Sequence, residues 1–331
     1  MESTIGKTLI MTISGGSHEA SVDLLLKGVP KGIDIDFRAL HSFLERRAPG
    51  NSPYATSRKE GDIPLFLSGF DGSRTNGEPI RASIKNTNIR AEDYRLTTPR
   101  PSHADYPAHI KYGSALKMSG GGPFSGRMTA PMCVAGGIAL QILKQKGILV
   151  EAHILSIGQV NGGPGMMEEI LRAKQAKDSV GGKIQCTVLG LPTGLGGPMF
   201  DGVESKLAPL LFGIPAVKGV DFGAGFDATA MWGSQHNDEF FMDEGTVKTR
   251  TNNHGGILGG ITSGMPLHLR VAFKPTPSIG LPQKTVDLTT GLDTLVTTEG
   301  RHDPCVVPRA VPVVEALVAV GLLDLLLEED L

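Results

Sequence analysis

The chain has 331 residues, 40% of them hydrophobic and 20% charged, with a formal net charge of -2 and a pI near 6.5. This composition suits a globular protein with a sizeable core and excludes a disordered or fibrous chain. It also gives no general pull toward nucleic acid or an acidic membrane, so any anion site must be a local concentration of Arg and Lys.

In chain order, residues 8–14 (TLIMTIS) are rich in β-branched side chains and predict a strand. They are too short and polar-flanked for a signal peptide. Next comes SGGSHEASVDLLLKGVPKG, residues 14–32, a cluster of small residues around Ser17 and His18 that leads into an apolar run and a Pro-Gly turn. Asp36 is a candidate N-cap for a helix over 37–47. A strand is expected at 81–85, then a helix over 129–145, a strand at 149–157, a helix over 165–177 and a strand at 183–189. A helix over 204–212, a strand at 267–273 and a helix over 312–328 complete the pattern. Residues 50–62 and 95–125 show little periodicity and read as long, ligand-scale loops.

The stretch VPVVEALVAVGLLDLLL is interrupted by Glu315 and Asp324. A membrane span needs ~20 mostly uncharged residues, so it reads as a buried helix, and a cytoplasmic protein is expected. No composition shift marks a linker, which predicts one continuous domain over 1–331. Residues 24–40 and 186–207 share a strand, then G-[VL]-P-x-G-[IL], then a helix. The echo marks either two related halves or the ordinary liking of strand-to-helix turns for Gly and Pro.

Glycine is the unusual number: 44 of 331, where ~7% is typical. The glycines lie between β-like runs rather than in low-complexity tracts, which suits tight turns and close backbone approach to a ligand. The three cysteines, Cys133, Cys186 and Cys305, form no CxxC pair, which argues against a disulfide framework or a Cys-rich zinc site.

Four polar, turn-rich clusters are candidates for chemistry. They are Ser17-His18; RPSHADY with Arg100, His103 and Asp105; SGGGPFSGRMTAP with Ser125 and Arg127; and GRHDPC with Arg301, His302 and Asp303. A glycine loop entering a helix is a ready anion site, and it is also how many helices begin. It matches neither Walker A nor a Rossmann fingerprint. Arg46 and Arg47 suit either a solvated helix face or a phosphate clamp. His18, His103, His254 and His302 lie in no HExxH-like frame, so no metal site is predicted. GxSxG is absent, which disfavours a hydrolase pair at Ser17-His18.

Taken together and in this order, the segments resemble the chorismate synthase family over essentially the whole chain. GGSHEASVDLLLKGVPKG is similar to the family's first signature. ERRAPG, RPSHADY, KYG, AVKGV, GFDA, GSQ, NHGGILGGITSG, KPTPSI and GRHDPC..PRAVPVVEA follow in family order. The resemblance implies an α+β fold, a sandwich of antiparallel sheets around a helical layer with possible internal duplication, usually assembled as a homotetramer. It implies a lyase that uses reduced FMN for the 1,4-anti-elimination of phosphate from 5-enolpyruvylshikimate 3-phosphate, giving chorismate, with no nucleic-acid or membrane partner.

The resemblance also assigns roles. His18 is the proton donor to the departing phosphate, His103 sits near the flavin's pyrimidine edge, and Asp303 lies near flavin N5. Ser17 and Ser125 are relay hydroxyls for His18 and Asp303. Arg46, Arg47 and Arg127 hold substrate anions. Ser125, Arg127, Pro215, Ala216, Gly259, Lys274, Pro275, Thr276, Pro277, Ser278 and Arg301 fall where the family contacts FMN. The loops at 50–62 and 95–125 are candidates for the roof of the pocket.

Four positions depart from the family pattern. Glu19 replaces a small residue beside His18, Pro53 and Pro123 stand where many members carry Arg, and Met128 replaces Glu. A charge-assisted hydrogen bond is worth ~1.5–3 kcal/mol, so each lost cation is expected to weaken anion binding. This motivates a second reading, a flavin- or phosphoanion-binding relative with little turnover. The missing Arg at Pro53 argues against self-reduction of the flavin with NADPH, which the rest of the sequence leaves open.

Overall fold

A computed structural model describes residues 1–50, 60–87, 97–113, 119–298 and 303–329. The N-terminal half contains β1 (Glu2–Ile5), β2 (Ile10–Gly15), β3 (Ser21–Lys27), α1 (Phe37–Arg47) and β4 (Leu65–Ser68). The short strands β5 (Phe70–Asp71) and β6 (Arg74–Thr75) follow, then β7 (Ile80–Lys85), α2 (Asp105–Tyr112) and α3 (Thr129–Gln145). The C-terminal half begins with β8 (Leu149–Ile157), β9 (Val160–Asn161), α4 (Gly165–Gln175), β10 (Gly182–Leu189), α5 (Val203–Phe212) and β11 (Val217–Phe222). After α6 (Gly233–His236) come the pairs β12 (Phe240–Asp243) with β13 (Thr246–Thr249) and β14 (Ile257–Leu258) with β15 (Ile261–Thr262). Then follow β16 (Leu267–Phe273), the pair β17 (Gln283–Asp287) and β18 (Leu292–Val296), and α7 (Val307–Glu328).

Alternation decides which face of each sheet is inside. Val22, Leu24 and Leu26 of β3 are buried while Ser21, Asp23 and Leu25 between them are partly exposed. Leu267, Leu269, Val271 and Phe273 do the same in β16, as a period of two requires of a sheet with one covered face. The first sheet has the order β1-β2-β3-β7-β4 and the second β11-β16-β10-β8-β9. Without the edge strands β1 and β9, both follow one plan. Two successive strands pair, a helix follows the second, the third and fourth strands add on with the fourth next to the second, and a long helix closes the half. The echoed segments fall on equivalent elements, β3 to α1 and β10 to α5. The fold is α+β, with the halves built as topological duplicates.

The closing helices α3 and α7 pack on each other, α3 against strands of the first sheet and α7 against β8 and β10 of the second. A Cβ on Gly136 of α3 would lie 2.2 Å from the Cβ of Ala316 in α7, so the two backbones meet where no side chain fits. The flanking contacts repeat the theme. Gly137 admits Leu40 and Phe43 of α1, and Gly321 of α7 admits Leu207 and Leu210 of α5.

Helix α7 is long and apolar enough to cross a membrane, yet 94% of its most apolar window is buried within the protein. It is the core helix that its interrupting acids predict. Both acids are satisfied and tie α7 to the two sheets. Asp324 accepts from the backbone N–H groups of Lys7, Thr8 and Leu9 at 3.0, 2.8 and 2.6 Å, just ahead of β2. Glu315 accepts from Ala152 of β8 at 3.0 Å and from Arg46 of α1.

Asp36 caps α1 as expected, accepting from Arg38 and Ala39, and the bounds of α1, α3, β8 and β16 match those predicted. Helix α7 begins earlier, at Val307, because Pro308 occupies the first turn, where its missing N–H is not needed. Residues 95–125 are not wholly irregular: α2 spans Asp105–Tyr112. It is short, contains Pro107 and buries only Ala108, so it lacks the apolar stripe by which a sequence announces a helix.

Candidate active site

The turn between β2 and β3 sets the first catalytic candidate. Gly15 has φ +95°, and a Cβ there would lie 2.5 Å from the Ser21 carbonyl oxygen, so the strand can reverse only with glycine. The reversal buries Ser17, whose N–H donates to the Gly122 carbonyl at 3.2 Å. The Ser17 hydroxyl lies 3.0 Å from His18 Nδ1 and holds the ring from beneath.

His18 lines a cavity of about 370 Å³ that collects residues from both halves. His103, Ser125, Arg127 and Arg47 line it from the N-terminal half. Pro215, Ala216, Lys274, Thr276, Pro277, Ser278 and Asp303 line it from the C-terminal half. The first turns of α3 and α7 also reach it, through Thr129 and through Arg309 and Ala310. Helix N-termini carry a partial positive charge, so both long helices favour an anion in the same space. Ile214, Phe273, Val306, Ala310 and Val313 supply an apolar wall, and such a mixture of apolar lining and few convergent polar groups is that of a small-molecule site.

The cations are held rather than loose. Asp62 is buried between two guanidinium groups, accepting from Arg47 on one oxygen and Arg127 on the other. Burial alone would raise its pKa, but Arg47 and Arg127 outweigh that and keep it below the usual carboxylate range. Arg47 also donates to the Thr129 hydroxyl at 3.1 Å, and Arg127 to Asn86 at 2.8 Å and to the Lys85 carbonyl at 3.2 Å. Glu60 Oε2 lies 3.6 Å from Arg127. Arg309 pairs with Asp303 and donates to the Arg47 carbonyl at 3.0 Å, joining the start of α7 to the end of α1. Lys274 donates to the Ser102 carbonyl at 2.5 Å. Burial, and then Lys218, lower the Lys274 pKa, so an anion nearby would be welcome to it.

Not every candidate from the sequence reaches the cavity. Arg46 turns away and binds Glu315 through both terminal nitrogens at 2.7 and 2.9 Å, because Glu315 is a buried carboxylate that needs a cation. Gly259 belongs to the β14–β15 hairpin and Pro275 points elsewhere than the lining, although Lys274 and Thr276 on either side belong to it. Ser17 acts from behind His18. Arg301 and His302 lie outside the described residues, as does most of the 50–62 segment.

Sequence reasoning missed Arg309, Glu60 and Asp62. A lone cation at the head of an apolar helix was a readable signal for Arg309. Nothing local distinguishes Asp62, which sits at φ +49° in an irregular segment.

A family model described as chorismate synthase matches residues 9–327. The chorismate synthase of Thermococcus kodakarensis is 44% identical, with 97% of each chain covered. That of Lancefieldella parvula is 40% identical, covering 98% of this chain and 96% of its own. A crystal structure of chorismate synthase superimposes with a TM-score of 0.78 at 27% identity, over 98% of this chain and 93% of the other.

The chain belongs to the chorismate synthase family. It is therefore a lyase, and three of the four departures from the family pattern lie among the described residues. Glu19 is exposed and folds back on Gly16, with its carboxylate oxygen 3.1 Å from where a Cβ there would be, and it does not line the cavity. Pro123 sits in a 3₁₀ turn and leaves the lining to Phe124. Met128 is buried at the N-cap of α3, and Pro53 lies outside the described residues. None of the three described departures places a new charge in the cavity. Among the described residues, no group of three or more His, Cys, Asp or Glu is arranged to hold a metal ion.

Proposed function

We propose that this cavity, with reduced FMN bound, catalyses the 1,4-anti-elimination of phosphate from 5-enolpyruvylshikimate 3-phosphate to give chorismate. The observation that carries the reading is the convergence of His18, His103 and Asp303 on one cavity shared with Arg47 and Arg127. The reaction breaks a C–O and a C–H bond with no net oxidation, so the protein must stabilise a leaving phosphate and manage a proton.

His18 suits the first task. Its imidazole is fixed by Ser17 and stands at a cavity served by two helix N-termini, where it can give a proton to the departing oxyanion. Arg47 and Arg127 are pre-oriented by Asp62, so their remaining donors meet an anion without first losing rotamer freedom. Asp303, anchored by Arg309 on the same cavity, would be the carboxylate that handles the second proton.

The residues present fit the flavin. Thr276 carries a buried hydroxyl with no partner among the described residues, on the cavity wall, and it needs a polar ligand. Ala216, also on the cavity wall, accepts from the Lys274 N–H at 3.0 Å and holds a left-handed backbone at φ +75°, the kind of strain that accompanies ligand contact. Ser125, Arg127, Ala216, Lys274, Thr276 and Ser278 would hold the cofactor, whose reduced ring would supply the electron-rich partner that the elimination needs. Exposed Phe226, Trp232, Phe240 and Met242 support association of copies of this chain, in keeping with a tetramer.

An anaerobic assay with reduced FMN and the phosphorylated substrate tests the reading. Chorismate release is expected, and its absence at saturating ligand would reject it in favour of a binding relative without turnover. A parallel arm with oxidised FMN and NADPH, expected to give no product, reads the source of electrons.

A further inference from the structure

The motif RPSHADY contributes two charged residues that the reading above leaves without a role, Arg100 and Asp105. Asp105, the first residue of α2, gathers four donors. Its Oδ1 lies 2.6 Å from His103 Nδ1 and 2.9 Å from Arg100 Nη2. Its Oδ2 accepts from Arg100 Nε at 2.7 Å and from the Arg100 backbone N–H at 3.0 Å. Burial would raise the Asp105 pKa, but the hydrogen bonds from Arg100 and His103 outweigh it, so the group stays an acceptor-only carboxylate. His103 Nδ1 must then carry a hydrogen, since the hydrogen bond made by one ring nitrogen sets the state of the other. Arg100 Nη2 is 3.1 Å from the same Nδ1, and as a donor it cannot compete for that hydrogen.

The opposite nitrogen faces a gap made by glycine. At Gly121, φ +101°, a Cβ would come within 3.2 Å of His103 Nε2. Arg100 ties the unit to the C-terminal half, donating through Nη1 to the Ser278 hydroxyl at 3.0 Å. Both His103 and Ser278 line the cavity.

We infer that Asp105 is the positioning residue of His103, fixing its rotamer and the Nδ1–H form so that Nε2 is presented to the ligand, with Arg100 locking Asp105 and Ser278 in one frame. The inference rests on the FMN reading for the identity of that ligand, but its geometry does not. Asp105→Asn separates charge from shape. Arg100 supplies two donors to Oδ2 and one to Oδ1, so the amide group of Asn takes the Oδ1 side and donates to His103 Nδ1. That forces the hydrogen onto Nε2.

The first measurement is the ¹⁵N spectrum of ligand-free protein labelled at histidine, with the His103 signals identified by their loss in His103→Gln. Wild type is expected to show Nδ1–H, Asp105→Asn the inverted form, and Asp105→Glu partial return to wild type. The second is turnover, where Asp105→Asn is expected to lose at least tenfold in kcat while KM for the phosphorylated substrate stays within threefold. An unchanged His103 signature in Asp105→Asn overturns the inference, as does unchanged kcat or an equal loss in kcat and KM that tracks a fallen Tm. Failure of wild type to bind FMN would instead overturn the cofactor reading, and the ¹⁵N arm would still decide the geometry.

Discussion

In the N-terminal half, β2 and β3 are joined by residues 16–20 alone, and that turn carries His18, braced by Ser17, to the cavity. In the C-terminal half, the equivalent β8 and β10 are joined by residues 158–181, which form β9 and α4 and contribute nothing to the cavity lining. The closing helices behave more alike, since α3 and α7 both direct their first turns into the site. A duplicated frame thus brings two helix N-termini to one place, and chemistry differs between halves where loops differ. The N-terminal half supplies both imidazoles and the guanidinium groups of Arg47, Arg100 and Arg127. The C-terminal half supplies most of the apolar wall, Lys274 and Thr276 to Ser278, and the Asp303–Arg309 pair.

If that division is right, the largest effect belongs to the short turn. His18→Ala should lower kcat by roughly 10²–10⁴-fold, the range for a general acid, with little change in Tm. Steady-state chorismate formation and a thermal melt check both halves of the statement. Substitutions at exposed α4 positions of the 158–181 excursion, such as Glu168→Ala and Gln175→Ala, should leave kcat alone.

Next is Asp62, the buried acid between Arg47 and Arg127. Removing one partner of a buried ion pair costs about 3–5 kcal/mol, so Asp62→Asn should lower the urea midpoint sharply. The folded pKa of Asp62 is depressed, so its stabilisation is complete above the unfolded carboxyl value of ~3.9 and vanishes as pH falls through the lower folded value. The gap in stability between wild type and Asp62→Asn should therefore be constant from pH 7 to pH 5 and close under stronger acid.

Smaller effects probe the glycine contacts of the two closing helices. Gly136→Ala meets the backbone of Ala316, with a Cα 2.3 Å away, whereas Gly321→Ala meets the flexible ends of Leu207 and Leu210. Overpacking costs ~1–3 kcal/mol, and Gly136→Ala should lie at the upper end and Gly321→Ala at the lower in chemical denaturation. The smallest change is at Ser102, whose φ is +58°. An L-residue there costs ~1–2 kcal/mol, and glycine's extra chain entropy takes back ~0.5–1 kcal/mol. Ser102→Gly should raise stability by about 0.5–1 kcal/mol, read as a small rise in Tm.

Much of this frame was legible in the residues. Helix α1 announces itself by Asp36, α3 and α7 by long apolar runs, and β16 by strict alternation, because each of these signals is local. Helix α2 was not legible, since eight residues with one buried side chain leave no periodic trace. Arg46 and Arg47 are adjacent and chemically equal in sequence. Only packing sends one to Glu315 on α7 and the other to Asp62 behind the cavity wall.

The order of motifs determined the family and the antiparallel halves, and it singled out the two imidazoles and Asp303 as candidates, because those depend on residue type and near-neighbour spacing. Tertiary structure alone decided which cations face the cavity, that Asp62 holds two of them, and that Asp105 meets His103 Nδ1. Those contacts depend on burial and on distances between segments far apart in the chain, and a buried charge takes whichever partner the fold brings within hydrogen-bond reach.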